Sequence, residues 1–381
     1  MNSRTRIAPR LRLPPCLAAL IALPLSAAAQ QPALNSHEVN ADHSVTIRYY
    51  APTAGKVMIG LDYDHHSLPL VKGSDGVWTF TTPPLQPALH TYDLEVDGTP
   101  VLDPRNPSVD PNYTFLTNEV TVPGPPQLWD LSDVPHGVVH HHTYRSAVLQ
   151  GLPGAFEDYY VYTPPGYDAR AGKSYPVLYL LHGWSSAADS WTHQGKANLI
   201  LDNLIAQGKA VPMILVMPLG YGDLGFVTGG FGQWNDESKV GNNLRLFSNA
   251  LLAEIMPQVE AGYRASARRE ERAIAGLSMG GGESLAIGLN HPDTFGWVGG
   301  FSSALVYAHF DGVFPNLDPR SAPRLLWVSC GAEDDLIQTN RLFVAWLRTK
   351  ALEPMGIETP GIHNWPVWRD NLVHFVPLLF R

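Results

Sequence analysis

The chain has 381 residues, 45% apolar and 16% charged, with 34 glycines and 33 prolines. That composition suits sizeable cores in more than one domain and excludes a disordered chain or a coiled coil. The formal charge of −9 speaks against nucleic acid as a partner, because holding phosphates takes a clustered positive surface.

Residues 1–29 read as a signal peptide. Arg4, Arg6, Arg10 and Arg12 form a basic start, and Leu17 to Ala28 an apolar run too short to span a bilayer. Ala27 and Ala29 make a small-residue cleavage signature before Gln30. Cys16 opens the apolar run instead of ending it, unlike a lipoprotein. No later run reaches the roughly 18 apolar residues of a membrane span. The expectation is an exported chain, periplasmic or secreted. Once the leader is gone, Cys330 is the remaining cysteine, so no internal disulfide or cysteine zinc site is expected. Cys330 closes the apolar run Leu325-Leu326-Trp327-Val328 and reads as a buried strand residue.

Residues 30–122 read as β. His43–Tyr50, Lys56–Gly60, Gly76–Phe80 and His90–Val96 are short strand-like runs, each bounded by Pro, Gly or Asp-Gly turns. Such spacing predicts a β-sandwich, with Trp78 in its core. Val122-Pro123-Gly124-Pro125-Pro126 opens a stiff linker over 123–134. From 135 to 381 the pattern changes to continuous apolar runs (Pro176–Leu181, Met213–Met217, Arg272–Gly276, Trp297–Phe301, Leu325–Cys330). Helical stretches near 196–207, 243–261, 281–290 and 339–350 lie between them. This alternation predicts a doubly wound, mostly parallel α/β sheet covered on both faces. A last helix is expected to open at Pro366, with Leu372, Val373, Val376, Leu379 and Phe380 on its apolar face.

Gly276-Leu277-Ser278-Met279-Gly280 carries the chemistry. It follows an apolar strand and precedes a helix, the setting of a nucleophile elbow. Such a turn presents the Ser278 hydroxyl at the sheet's C-terminal edge, and glycines at its ends remove the side chains that would clash. A serine hydroxyl needs a base, and the expected chain order is Ser, then acid, then His. Of the late histidines, His363 lies in a loop and His374 inside the last helix, so His363 is favoured. The acid belongs just past Leu325–Cys330, where Glu333, Asp334 and Asp335 compete, Asp334 best placed. For the oxyanion hole the backbone N–H groups of Met279 and of Trp184, in Leu180-Leu181-His182-Gly183-Trp184, are the expected donors. His182 then shapes the loop. His140-His141-His142 is read as strand and not as a metal centre, because adjacent strand residues point to opposite faces. The chain has no H-E-x-x-H motif, and neither metal nor cofactor is expected.

At these residues a family appears. The segment 135–381 resembles the esterase-D-like α/β-hydrolases, specifically bacterial feruloyl and acetylxylan esterases of carbohydrate esterase family one. The resemblance rests on Tyr162-Thr163-Pro164-Pro165-Gly166-Tyr167, Leu180-Leu181-His182-Gly183, Met217-Pro218-Leu219-Gly220, Gly276-Leu277-Ser278-Met279-Gly280-Gly281, Gly331-Ala332-Glu333-Asp334-Asp335-Leu336 and His363-Asn364-Trp365-Pro366-Val367-Trp368. It puts the acid on Asp334. Residues 30–122 are similar to the early-set immunoglobulin-like modules, akin to glycogen-binding domains, that precede many such esterases. Leu102-Asp103-Pro104-Arg105-Asn106-Pro107 matches their closing segment. One departure is Trp184-Ser185-Ser186 where the family often has glycines, which places a large side chain beside the acyl pocket.

The resemblance implies a serine carboxylic-ester hydrolase acting on acylated plant polysaccharide or oligosaccharide. Ferulate is the first expectation for the acyl group and acetate the second. Trp184, Trp191, Phe226, Phe231, Trp234 and Trp365 are available to line an aromatic slot, with Trp191, Trp234 and Trp365 named as substrate contacts. The related siderophore esterases supply an alternative substrate, and a non-enzymatic sugar-binding protein a remote one.

Overall fold

The computed structural model describes residues 33–62, 66–170, 172, 174–306, 309–315 and 317–381. Residues 1–29, read as a signal peptide, lie outside the described residues.

The N-terminal part forms two antiparallel sheets. One runs His37–Val39, Val45–Tyr50, Val77–Thr81, Val71–Lys72 in spatial order. The other runs Leu68–Pro69, Val57–Leu61, Ala88–Val96, Thr117–Val122, Val109–Asp110, with Thr99–Val101 beside Ala88–Val96. Alternation along these strands sends Val45, Ile47, Val57, Ile59, Tyr92, Leu94, Val120 and Val122 into one shared core. Trp78 joins them at 6% exposure, its indole N–H held by the Ala51 carbonyl at 2.9 Å. The segment read as a stiff linker, 123–134, is held at residues 128–130. Leu128 and Trp129 pack on the larger core, and Asn203 Nδ2 donates to the carbonyls of Leu128 and Asp130. Residues 35–381 cluster as one compact unit.

The large sheet has eight strands: β1 (Val138–Arg145), β2 (Phe156–Thr163), β3 (Val177–Leu181), β4 (Ile214–Pro218), β5 (Arg272–Leu277), β6 (Trp297–Phe301), β7 (Leu325–Gly331) and β8 (Met355–Thr359). Their spatial order is β1-β2-β4-β3-β5-β6-β7-β8. The β1–β2 and β2–β4 pairings are antiparallel and the rest parallel. Helices α1 (Ala197–Ala206), α2 (Glu237–Ala250), α3 (Ser278–Asn290), α4 (Ile337–Thr349) and α5 (Trp365–Phe375) cover it. Successive strand residues feed opposite cores. Val177, Tyr179 and Leu181 meet α2, α3 and α4 through Phe247, Leu285 and Phe343. Leu178 and Leu180 meet α1 and α5 through Ile200, Leu204, Leu372 and Phe375. Each such fully buried side chain contributes about 1.5–3 kcal/mol of transfer free energy, and this burial explains why the apolar runs are continuous.

Several elements differ from the sequence reading; the last helix ends at Phe375, before Val376, Leu379 and Phe380. Helix α2 starts at Glu237, where Asp236 caps it by accepting from the Ser238 N–H at 3.0 Å. Its first turn, Glu237-Ser238-Lys239, is polar and exposed, so apolar periodicity does not mark it. Beyond Ala250 the helix passes through a π-helical turn and continues as Met256–Gly262. Strands β2 and β8 were not foreseen as strands, and β8 is a half-exposed edge without an apolar run.

Candidate active site

The parallel sheet turns its C-terminal edge toward three loops that carry Ser278, Asp334 and His363. β5 ends at Leu277, and Ser278 opens α3 with φ at +52°, a left-handed conformation that is costly for a non-glycine residue. The turn closes so tightly that a Cβ on Gly276 would lie 2.5 Å from the Gly280 carbonyl oxygen. One on Gly280 would lie 2.4 Å from that of His182. These contacts explain both motif glycines. The Gly280 N–H donates to His182 O at 3.1 Å, and the Ala304 N–H to Ser278 O at 2.8 Å.

Ser278 Oγ lies 3.0 Å from His363 Nε2, and His363 Nδ1 lies 2.8 Å from Asp334 Oδ2. Asp334 Oδ1 accepts from the Leu336 N–H at 2.8 Å. Asp334 is 2% exposed. Burial disfavours its charge, but the adjoining His363 and the Leu336 N–H prevail and hold its carboxyl below the usual value of 3.8. Of its rivals, Asp335 is exposed, and Glu333 accepts from the Gly361 N–H, tying down the loop that presents His363. Asn364 caps α5 through Oδ1. The Trp368 ring stands edge-on to the His363 imidazole, centroids 4.9 Å apart. His374 is exposed, its Nδ1 on the Asp370 carbonyl, away from this line.

The amide of Met279 is in the first turn of α3, where no carbonyl of its own helix can reach it. The Trp184 amide is oriented by its neighbours. A trans peptide points its C=O and N–H in opposite directions. The Gly183 carbonyl accepts from the Ser186 N–H at 3.3 Å and from His182 Nδ1 at 2.7 Å, which turns the Trp184 N–H the other way. His182 has one tautomer available for this, because its Nε2 accepts from the Gly220 N–H at 2.8 Å. Full burial pushes its pKa down to about 4, so the ring stays neutral. His182 is a loop-shaping residue, as its chain position implies.

Four of the six aromatic residues gather on this side of Ser278. Trp184 Nε1 donates to Phe226 O at 3.3 Å, Phe231 stands edge-on to Trp184 at 5.4 Å, and Phe226 to Trp234 at 5.0 Å. Phe231 is 71% exposed, and Met279 packs into the same cluster. Trp191 and Trp365 correct the sequence reading. Trp191 is 0% and Trp365 3% exposed. Trp191 donates to Leu181 O at 2.9 Å, and the two rings meet edge-on at 5.3 Å behind Trp368. They are core residues with no surface to offer a ligand. Sequence could not separate them, because an aromatic near a motif looks alike whether it faces core or cleft. Trp234 is half-buried in the aromatic cluster. His140 and His142 share one side of β1, near Thr163 Oγ1 and Tyr263 OH, while His141 stacks on Tyr160. Cys330 is buried, which pushes its thiol up to about 12 with help from the Asp334 charge.

The chain is 32% identical over 359 residues to an endo-1,4-beta-xylanase/feruloyl esterase of Xylanibacter ruminicola, a match spanning 92% of this chain and 47% of that protein. It is 31% identical to the esterase Rv1288 of Mycobacterium tuberculosis over 52% of this chain and 34% of that one. The chain thus spans half or less of the length of these curated relatives. Among solved structures, the CE1 ferulic acid esterase of Anaeromyces mucronatus aligns with a TM-score of 0.57 at 28% identity, over 67% of this chain and 96% of that one. The enterobactin esterase of Shigella flexneri aligns at 0.64 with 17% identity, over 88% and 92%, a likeness of fold. The sheet order and these neighbours make the large domain an α/β-hydrolase. The family model Esterase, described as "Putative esterase", matches residues 157–379, more than half of the chain, and the protein belongs to that family.

Proposed function

We propose that this protein is an exported serine carboxylic-ester hydrolase that releases ferulate from acylated plant polysaccharide. The observation that carries the reading is the hydrogen-bonded line Ser278–His363–Asp334 at the C-terminal edge of the sheet. Ser278 Oγ attacks the ester carbonyl carbon while His363 Nε2 takes its proton. The oxyanion is received by the N–H groups of Met279 and Trp184. As the tetrahedral centre collapses, His363 returns the proton to the departing sugar oxygen, and an acyl-Ser278 remains. Water, deprotonated by His363, then frees the acid and restores Ser278. Asp334 keeps the Nδ1–H tautomer and stabilises the imidazolium. The partly exposed rings of Trp184, Phe231 and Trp234, packed around buried Phe226, support an aromatic acyl group, as does the feruloyl or ferulic acid esterase activity for which the Xylanibacter and Anaeromyces relatives are named. The basic-then-apolar leader supports export.

The test is ferulate release from methyl ferulate, followed by ultraviolet absorbance, with Ser278→Ala as control. We expect turnover that falls by about 10⁴-fold or more in the variant. Cleavage of p-nitrophenyl acetate without ferulate release would move the acyl group to acetate. Ser278→Ala retaining activity would sink the assignment. A second reading, hydrolysis of a trilactone siderophore, is favoured by one observation. The likeness to the enterobactin esterase extends over 88% of this chain, against 67% for the fungal ferulic acid esterase.

A further inference from the structure

The loop that carries Trp184 is held from two directions. From within, His182 and the Ser186 N–H fix the Gly183 carbonyl, and Tyr221 OH donates to Ser186 O at 2.9 Å. From outside, residues 111–116, which join Val109–Asp110 to Thr117–Val122 in the N-terminal sheet, lie along the same loop. The Tyr113 N–H donates to Ser185 O at 2.7 Å, and Asn112 Nδ2 donates to Ser185 Oγ at 3.0 Å. Asn112 and Ser186 also pair as an isolated antiparallel bridge. The Tyr113 ring stands edge-on to Tyr221 at 5.7 Å. Asn112 uses both ends of its amide: Oδ1 accepts from the Thr114 N–H and so shapes its own loop, while Nδ2 reaches across to Ser185.

Ser185 is the residue after Trp184, it is 3% exposed, and its φ is +72°. A non-glycine residue stays in that left-handed conformation only where its surroundings hold it. The holding groups come from Asn112 and Tyr113, more than 70 positions earlier in the chain. Releasing Ser185 frees the Ser185–Ser186 peptide to rotate, and with it the Ser186 N–H that holds the Gly183 carbonyl and so the Gly183–Trp184 peptide that carries the Trp184 N–H.

We propose that Asn112 is a positioning residue for the oxyanion hole: the N-terminal sheet, through Asn112 and Ser185, fixes the direction of the Trp184 N–H. The proposal rests on the serine-hydrolase reading of the site. Docking of the N-terminal sheets does not depend on this contact. Glu119 meets His193 at 3.0 Å, and buried Arg369 donates to Leu89 O at 3.1 Å.

The test compares Asn112→Ala, Ser185→Ala and the double variant with the full chain. It measures p-nitrophenyl acetate turnover, deuterium exchange over residues 183–187 and the thermal midpoint. This ester is chosen because its small acyl group is indifferent to the aromatic cluster. Each single variant is expected to lower kcat by about tenfold, a fraction of the roughly 10²–10³ lost with a whole donor. KM should stay within about twofold, since the loss falls on the transition state. Exchange over 183–187 should quicken, the midpoint should hold, and the double variant should be no slower than the slower single. Unchanged kcat, additive losses in the double variant, or a loss that tracks a falling midpoint would overturn the proposal. Absence of Ser278-dependent turnover in the unmodified chain would instead overturn the reading of the site.

Discussion

The two flanks of Ser278 hold their groups by opposite means. On the histidine flank, Asp334 is buried with its charge partnered by His363 and the Leu336 N–H, and Trp368, Trp365 and Trp191 stack edge-on behind the imidazole. On the flank proposed to receive the oxyanion, the groups are backbone amides, Met279 in the first turn of α3 and Trp184 in a loop. The Trp184 loop is held by hydrogen bonds from distant segments, and of the aromatic residues there Trp184, Phe231 and Trp234 are partly exposed while Phe226 is buried. The buried carboxyls make the contrast sharp. Asp334 is held below its ordinary value by its partners. Glu157, on β2, is buried with no counter-charge among the described residues, and its Oε2 finds no donor among them. Burial pushes it up to about 8, opposed by the Asp158 N–H. One carboxyl keeps its charge, and the other keeps its proton.

Breaking the partnered flank should have the largest effect. Asp334→Asn is expected to lower kcat by about 10⁴-fold, because the amide cannot hold the Nδ1–H tautomer. The pH dependence is also signed. A lowered folded pKa makes Asp334 stabilising above its ordinary value of 3.8, and that contribution fades as pH falls through the folded value. Turnover of methyl ferulate by Asp334→Asn within tenfold of the unmodified chain would show that the line seen here is not the working one.

The unpartnered carboxyl should respond with the opposite sign. Between its ordinary 4.5 and about 8, the folded chain keeps a proton on Glu157 that the unfolded chain has released, so stability falls as pH rises through that window. Glu157→Gln removes the fall. Urea midpoints should coincide near the acid end of the window. At the alkaline end the variant should be more stable by roughly 2 kcal/mol, allowing for relaxation around the buried group. A difference independent of pH would remove Glu157 as its source.

The smallest effect concerns the exposed rim. Phe231→Ala should change stability by less than about 0.5 kcal/mol, being a surface substitution. It should raise KM for methyl ferulate by about 3–10-fold, the worth of one aromatic contact, and leave p-nitrophenyl acetate unchanged. Equal effects on both esters would show that the aromatic cluster does not meet the acyl group.

Local chemistry made part of this legible in advance. Gly276 to Gly280 could be read because a tight strand-to-helix turn needs its glycines at fixed offsets. The parallel strands could be read because burial on both faces demands unbroken apolar runs. Asp334 followed from its place just past a strand end, and His363 from chain order and its place in a loop ahead of the last helix. Polar or edge elements escaped: the first turn of α2 and strand β8 bury little, so their sequences carry no apolar pattern.

The sequence by itself determined the doubly wound sheet, the nucleophile turn and the residues able to relay a proton, because each depends on patterns within a few neighbouring positions. Only the tertiary structure decided which aromatic residues face the cleft and which, like Trp191 and Trp365, fill the core. It alone tied Asn112 to Ser185 and turned the Trp184 amide, since those contacts join segments far apart in the chain, where no local spacing records them.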